Sequence, residues 1–148
     1  MTQLTGIRLE TLRLSLSPLD ADQLVLCLQQ SGTFGHCTEE LLFTTLWIMV
    51  KKKQKVPVGE IGFKGPPSEK GLVEIGYATY PEFRNQGYMT EALNCMVHWA
   101  FCQAHVQIIL AETDKSNAAS QRILNKNHFQ PFAESDTMFW WRLDRYVE

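Results

Sequence analysis

The sequence predicts an α/β fold in which a mixed, mostly antiparallel central sheet carries helices on both faces, within one domain over residues 1–148. The chain length suits a single domain with a substantial buried core. The first half contains strand-like segments separated by turns, which indicates an antiparallel meander. The second half alternates short apolar strands with helices, and this β-α-β-α-β order predicts that a mixed sheet continues from the meander.

The chain is predicted to open with a strand over Leu9–Leu16, because apolar and polar residues alternate there. The leucines on its inner face are Leu12, Leu14 and Leu16. A helix is predicted over Asp20–Gln30, with Ser17 as its cap and Pro18 in its first turn. Thr38, followed by two glutamates, predicts a further helix start.

Three strands are predicted to form the meander. They are Thr45–Lys51, Val58–Lys64 and Leu72–Tyr80. The polar segment Lys52–Lys55 joins the first two strands, and Gly65–Ser68 joins the second and third. The two prolines in Gly65–Ser68 cannot continue a central strand, so a turn is expected there.

The second half is predicted to contain two helices and three strands. In chain order these are helix Gln86–Gln103, strand Gln107–Glu112, helix Ser116–Lys126, strand Phe129–Phe132 and strand Thr137–Leu143. Trp140 and Trp141 alternate faces in the last strand, so one of them is expected in the core. If this aromatic strand is exposed, it could pair with another copy of the chain and form a homodimer.

Composition and charge narrow the function classes. A net charge of −2 and a pI near 6.1 argue against a nucleic-acid binder, which needs a basic surface. The apolar runs are too short for a membrane helix, and charged residues interrupt the first residues, so neither a membrane span nor a signal peptide is expected. The four cysteines form no metal-binding pattern, so we expect free thiols, no metal and a cytoplasmic location.

The loop Arg84–Thr90 carries the strongest functional signal. It follows a predicted strand and leads into a helix, whose first N–H groups have no partner within the helix and attract anions. Gly87 leaves the backbone open to an anion, and Arg84 adds a positive charge. An ordinary capped surface helix is the alternative explanation of this pattern.

A second pattern follows at Asn117–Phe129, with Asn117 and Ser120 spaced as N-x-x-S. Together with Arg84, Gly87 and the segment Glu74–Tyr77, it resembles the GCN5-related N-acetyltransferase (GNAT) superfamily, in the branch of the ribosomal-protein N-terminal acetyltransferases. The resemblance covers nearly the whole chain. It implies the GNAT fold, acetyl-coenzyme A as co-substrate, and transfer of an acetyl group to a primary amine.

The resemblance also implies which residues bind acetyl-CoA. The loop would hold the pyrophosphate, and the end of the preceding strand would pair with the pantetheine. The expected residues are Thr79, Tyr80, Arg84, Gln86, Gly87, Tyr88, Met89, Thr90, Asn117 and Ser120. A backbone N–H at the end of the strand, near Thr79–Tyr80, would stabilise the oxyanion. Capping of the second helix by Ser116 or Asn117 is an additional role that the sequence itself predicts.

The transfer needs an unprotonated amine and a proton for the leaving thiolate. Glu74 is the first candidate for the base, because strand alternation places it on one face with Gly76, Ala78 and Tyr80. Glu60 and Glu40 are alternative bases. The resemblance makes Ser120 the candidate proton donor, with Tyr77 and Tyr88 as alternatives.

Four features depart from the family pattern. Met89 replaces a glycine or alanine, His128 replaces a glycine, and Leu124 replaces the tyrosine that protonates the thiolate in many members. The segment between Gln30 and Leu46 is short. A catalytically degenerate acyl-CoA sensor therefore remains an alternative, as does a purely structural protein. The acceptor, a small-molecule amine or a protein N-terminus, cannot be read from the sequence.

Overall fold

The structure, a computed structural model, describes residues 8–18 and 41–145. Within these ranges it contains eight strands. They are β1 (Leu9–Glu10), β2 (Leu14–Pro18), β3 (Leu46–Lys51), β4 (Val56–Phe63), β5 (Leu72–Thr79), β6 (Ile108–Asp114), β7 (Gln130–Glu134) and β8 (Met138–Asp144). The described helices are α1 (Tyr88–Phe101) and α2 (Ala118–Lys126), and a short 3-10 helix covers Pro81–Phe83.

The strands form one mixed sheet in the order β1-β2-β3-β4-β5-β6-β8-β7. Its one parallel pair is β5–β6, while the other neighbours among the described strands run antiparallel. α1 connects the parallel pair, since a crossover between parallel strands needs a connection of this length. The predicted mixed, mostly antiparallel α/β fold is confirmed.

Both described helices pack against the same face of the sheet. On this face, Trp99 of α1 lies 5.4 Å from the ring centroid of Trp47 in β3 and 6.0 Å from that of Phe63 in β4. α2 reaches the same face through Ser120, which hydrogen-bonds to Tyr77 of β5. The core therefore lies between the two helices and the alternate, inward-facing residues of the strands.

The prediction of one continuous first strand is wrong. The segment Leu9–Leu16 divides into β1 and β2, and Leu12 lies in the turn between them with 89% of its surface exposed. The Thr11 hydroxyl accepts a hydrogen bond from Leu14 N at 2.9 Å, which closes the turn. Threonine side chains compete with strand pairing in this way. Leu14 and Leu16 are fully buried, as predicted.

The predicted helix start at Ser17 is also wrong. β2 continues through Pro18, where Ser17 pairs with Ile48 and Pro18 with Trp47 of β3. Among the described residues, β1 pairs with β2 at Ser15 and Leu16, so none of the described pairs on that side needs an N–H from Pro18. The body of the predicted helix, Asp20–Gln30, and the helix start at Thr38 lie outside the described residues.

The remaining predicted elements are confirmed with small shifts at their ends. The C-terminal strand β8 is not the exposed edge that pairing with another copy would need, because it lies between β6 and β7. The edge is β7, which is exposed throughout and carries Pro131. Trp141 is buried while Trp140 is only half-buried, which confirms that the two alternate faces.

The corrected turn gives a stability prediction. Replacing the buried Leu14 by alanine should lower the free energy of unfolding by about 2–5 kcal/mol, because it leaves a cavity in the core. Replacing the exposed Leu12 by alanine should change it by no more than about 0.5 kcal/mol. Urea unfolding of both variants measures the difference. Equal losses for the two variants would mean that Leu12 faces the core after all.

Candidate active site

β5 and β6 pair over three residues and then separate. Their parallel register joins Leu72–Glu74 to Ile108–Leu110. Beyond this point β5 stays paired with β4 as far as Thr79, and β6 stays paired with β8 as far as Asp114. A wedge-shaped gap therefore opens at the carboxyl ends of two parallel strands, which is where open α/β sheets bind ligands.

The peptide groups of β5 that face this gap belong to Tyr77 and Thr79. In antiparallel pairing, the N–H and C=O of one residue point to the same side, and the next residue points to the other. Glu74 and Tyr80 make backbone hydrogen bonds of 2.9 Å towards the β4 side. By alternation, Tyr77 and Thr79 direct their N–H and C=O groups away from β4 and into the gap.

A cavity of about 710 Å³ continues from this gap across the start of both helices. Its walls are the end of β5, the loop before α1, the first turn of α1, the end of β6 and one side of α2. The predicted site residues that line it are Thr79, Arg84, Gly87, Tyr88, Met89, Thr90, Asn117 and Ser120. Most of the predicted cofactor site is therefore brought together around one cavity.

The first turn of α1 presents free amides to this cavity. Gly87 is the N-cap, in the left-handed conformation with φ 81°, and no side chain caps the helix there. No group in the described ranges accepts a hydrogen bond from the N–H of Tyr88, Met89 or Thr90. Such amides carry partial positive charge at a helix start and bind anions.

Met89 does not cover these amides. Its side chain is 2% exposed and packs in the core, and Tyr88 is 6% exposed. The methionine side chain therefore fills interior space, while the residue still contributes to the cavity wall.

Arg84 and Gln86 make local contacts that the sequence does not reveal. Arg84 Nε donates to the carbonyl oxygen of Thr79 at 3.2 Å, at the mouth of the cavity. The Gln86 side chain donates to the Glu82 carbonyl at 3.2 Å, and Gln86 is not part of the cavity wall. Arg84 is thus near the predicted anion site, whereas Gln86 lies behind it.

Ser120 and Tyr77 form a hydrogen-bonded pair on the cavity wall. Their hydroxyl oxygens are 2.7 Å apart. Burial raises the pKa of Tyr77 above its ordinary value, although the hydrogen bond with Ser120 acts in the opposite direction. Asn117 caps α2 by accepting a hydrogen bond from Ser120 N at 3.1 Å, so its predicted capping role is confirmed.

Glu74 and Tyr80 lie outside the cavity. Lys64 Nζ is 2.5 Å from the Glu74 carboxylate and 3.4 Å from that of Glu112. The hydrogen bond to Glu74 is the main reason that the pKa of Lys64 is raised. Tyr80 directs its hydroxyl towards Glu60 at 3.4 Å, and its N–H already donates to β4. Two of the three predicted catalytic residues are therefore separated from Ser120; Glu40 lies outside the described residues.

The sequence pattern of the family described as Acetyltransferase (GNAT) domain matches residues 13–130. The chain belongs to the GNAT acetyltransferase family. The match spans the gap, the first turn of α1 and all of α2. An uncharacterised N-acetyltransferase of Bacillus subtilis strain 168, YjdG, is 41% identical over 83 residues, which are 56% of this chain and 49% of YjdG. The chain thus spans about half the length of this relative.

Solved GNAT structures share the fold. The ribosomal-protein-S5-alanine acetyltransferase from Vibrio fischeri superposes with a TM-score of 0.74 at 13% identity, over 95% of this chain and 97% of that one. RimL, a ribosomal L7/L12 α-N-protein acetyltransferase solved with coenzyme A, gives 0.72 at 14% identity over 93% and 98%. The predicted resemblance to GNAT proteins is confirmed at the level of family and fold.

Two long-range contacts near this cavity could not be predicted from the sequence. The contact of Tyr77 with Ser120 joins residues 43 positions apart, and the contact of Arg13 with the α1 loop joins residues more than 70 apart. No local periodicity reports such pairs. The one available signal was that Tyr77 and Ser120 both lay among the candidate proton donors.

Proposed function

We propose that this chain is an acetyl-CoA-dependent N-acetyltransferase that transfers the acetyl group to a primary amine. The observation that carries the proposal is the row of free amides at the start of α1, which opens into the same cavity as the gap between β5 and β6. Coenzyme A contains a diphosphate and a chain with two amides, and these two parts match the two features in chemistry.

The residues present fit this co-substrate. The amides of Gly87, Tyr88, Met89 and Thr90 would hold the pyrophosphate, because they combine open donors with the positive end of a helix. The backbone groups of Tyr77 that face the gap would pair with the amides of the pantetheine, as a strand is added to a sheet edge. Thr79 C=O already accepts from Arg84, so the N–H of Thr79 is left for the reacting end of the co-substrate.

The transfer would be direct. The unprotonated amine nitrogen attacks the thioester carbonyl, the C–N bond forms and the C–S bond breaks. The new amide nitrogen gives up one proton, and the leaving thiolate takes up one. Of the two N–H groups at the end of β5, that of Tyr80 is used by β4, so that of Thr79 is the proposed oxyanion donor. Ser120, hydrogen-bonded to Tyr77, is the proposed source of the thiolate's proton, and it regains a proton through solvent from the amide nitrogen.

We propose that the acceptor is an α-amine. Deprotonation at pH 7 costs about 4–5 kcal/mol for a lysine amine but only about 1 kcal/mol for an α-amine. Among the described cavity residues, the carboxylate present is Asp114, whose pKa is lowered because the Ser116 hydroxyl and N–H donate to it. A site with no spare carboxylate suits the acceptor that needs the least help. RimL, by its name, also acts on an α-amine.

The proposed location is the cytoplasm. Neither described helix combines the length and apolarity needed to cross a membrane. Cys95 and Cys102 are free thiols, which suits a reducing compartment.

An acceptor panel tests the proposal. Thiol release from acetyl-CoA should be at least about tenfold faster with a peptide whose N-terminus is free than with the same peptide blocked at the N-terminus and carrying one lysine. Calorimetry with coenzyme A runs in parallel. Binding of coenzyme A without thiol release for any amine would favour the acyl-CoA sensor. No binding of coenzyme A would reject both the acetyltransferase and the sensor.

A further inference from the structure

Arg13, which precedes β2, reaches across the sheet to the loop that leads into α1. Its Nη1 donates to the Gln86 carbonyl at 3.0 Å. Its guanidinium lies 4.3 Å from the ring centroid of Tyr88, and its Nε is 2.9 Å from the Glu91 carboxylate. One side chain thus contacts the loop, the first residue of α1 and the first turn behind it.

We propose that Arg13 is a positioning residue that sets the orientation of the peptide between Gln86 and Gly87. This inference rests on the proposed binding of acetyl-CoA at the start of α1. In a trans peptide the C=O and the following N–H point in opposite directions. Since Arg13 holds the carbonyl of Gln86 on the side away from the cavity, the Gly87 N–H points towards the cavity.

The peptide needs such a restraint because of the residues on either side. Gly87 adopts φ 81° and Asn85 adopts φ 63°. Glycine and asparagine can take up either left-handed or right-handed backbone conformations at low cost, so these two residues alone do not fix the peptide between Gln86 and Gly87. Without a fixed partner, the Gln86 carbonyl could turn towards the cavity and place its negative end where the phosphate binds. A carbonyl there would repel the anion that the α1 amides attract.

Arg13 is itself held in place. The Glu91 carboxylate accepts hydrogen bonds from Arg13 N at 2.9 Å, from Arg13 Nε at 2.9 Å and from the Thr11 hydroxyl. Burial opposes ionisation of Glu91, but these hydrogen bonds outweigh it and lower its pKa. The arginine is therefore fixed from both sides, and the close approach of its Nη2, 3.2 Å from where a Cβ of Gly87 would lie, ties it to the glycine.

If Arg13 were only a structural tether, its loss would impair activity with every substrate. If it orients the Gln86–Gly87 peptide, its loss should impair only the binding of substrates that carry the diphosphate. Replacing Arg13 by alanine should therefore raise the Kd of coenzyme A, measured by calorimetry, about 10-fold or more, as for loss of a charge-assisted hydrogen bond. The kcat/KM for acetyl-CoA should fall by the same factor. The kcat/KM for S-acetylpantetheine, which lacks the diphosphate, should not change.

Matched variants complete the test. Arg8→Ala removes another arginine of the same hairpin, ion-paired to Glu10 at 3.3 Å, and should leave both substrates unaffected. Arg13→Lys keeps the charge but has no fork that reaches Gln86 and Glu91 together, so its affinity for coenzyme A should also fall. This milder variant serves if Arg13→Ala does not fold.

Nuclear magnetic resonance gives a readout without turnover. Titration with inorganic pyrophosphate should shift the Gly87 N–H signal of the wild-type protein and should shift that of Arg13→Lys much less. Two results would overturn the inference. One is an equal loss of kcat/KM for acetyl-CoA and S-acetylpantetheine in Arg13→Ala, and the other is wild-type affinity for coenzyme A in Arg13→Lys. If Gly87→Asp also leaves the affinity for coenzyme A unchanged, the proposed acetyl-CoA site fails; if only the Arg13 variants do so, the failure is confined to Arg13.

Discussion

Replacing Gly87 by aspartate should weaken acetyl-CoA binding by about 100-fold or more. The new carboxylate would lie at the N-cap of α1, beside the amides proposed to hold the diphosphate. Two like charges about 4 Å apart near a protein surface repel by roughly 4 kcal/mol, and a partial offset from Arg13 still leaves about two powers of ten. Calorimetry with coenzyme A measures the loss.

Gly87→Asn is the matched control. Asparagine and aspartate have nearly the same shape, and both tolerate the left-handed conformation that φ 81° requires. Backbone strain and steric contact with Arg13 are therefore common to the two variants. The difference between their affinities for coenzyme A reports the added charge. The asparagine variant should keep its affinity within about tenfold. If both variants bind coenzyme A equally well, the diphosphate lies elsewhere.

Most elements of the fold could be predicted because their signals are local. α1 is predicted by the helical spacing of its apolar residues, and the meander by alternation and proline-containing turns. His128 also behaves as expected, adopting φ 69° in the position where the resembling family has glycine. The failures lie at Thr11 and Pro18, where a side-chain hydrogen bond closes a turn and pairing with β3 continues the strand.

The site divides in the same way. The loop Arg84–Thr90 could be predicted, because a strand, a glycine and a helix start adjoin in sequence. Alternation alone could not show whether Glu74 is free to act as the predicted base. Its ion pair with Lys64 depends on the register of β4 against β5. The proposed oxyanion donor depends on that register too, because the register assigns the N–H of Tyr80 to β4 and leaves that of Thr79 facing the gap.

Replacing Ser120 by alanine should lower kcat about 10- to 100-fold at pH 7 with little change in the KM for acetyl-CoA. Positioned proton transfer contributes about this much or more to catalysis, and a serine hydroxyl is a weak acid that water can partly replace. Tyr77→Phe removes the hydroxyl 2.7 Å from Ser120 and should have a similar effect. Steady-state kinetics measures both, with Ser116→Ala, on the same cavity wall, as the control expected to change kcat less than twofold.

Two further properties identify proton donation as the cause. Because Ser120 and Tyr77 would act as one unit, the double variant should be no slower than the slower single variant. Burial raises the pKa of Tyr77, so its proton remains available well above pH 8. The leaving thiolate, however, needs no proton above its own pKa. The defect of Ser120→Ala should therefore shrink as the pH rises past the pKa of the coenzyme A thiol, titrated in the same buffer. A defect that stays constant through that pKa, or effects of the two substitutions that multiply, would assign Ser120 and Tyr77 to packing between β5 and α2 and leave the thiolate to be protonated by solvent.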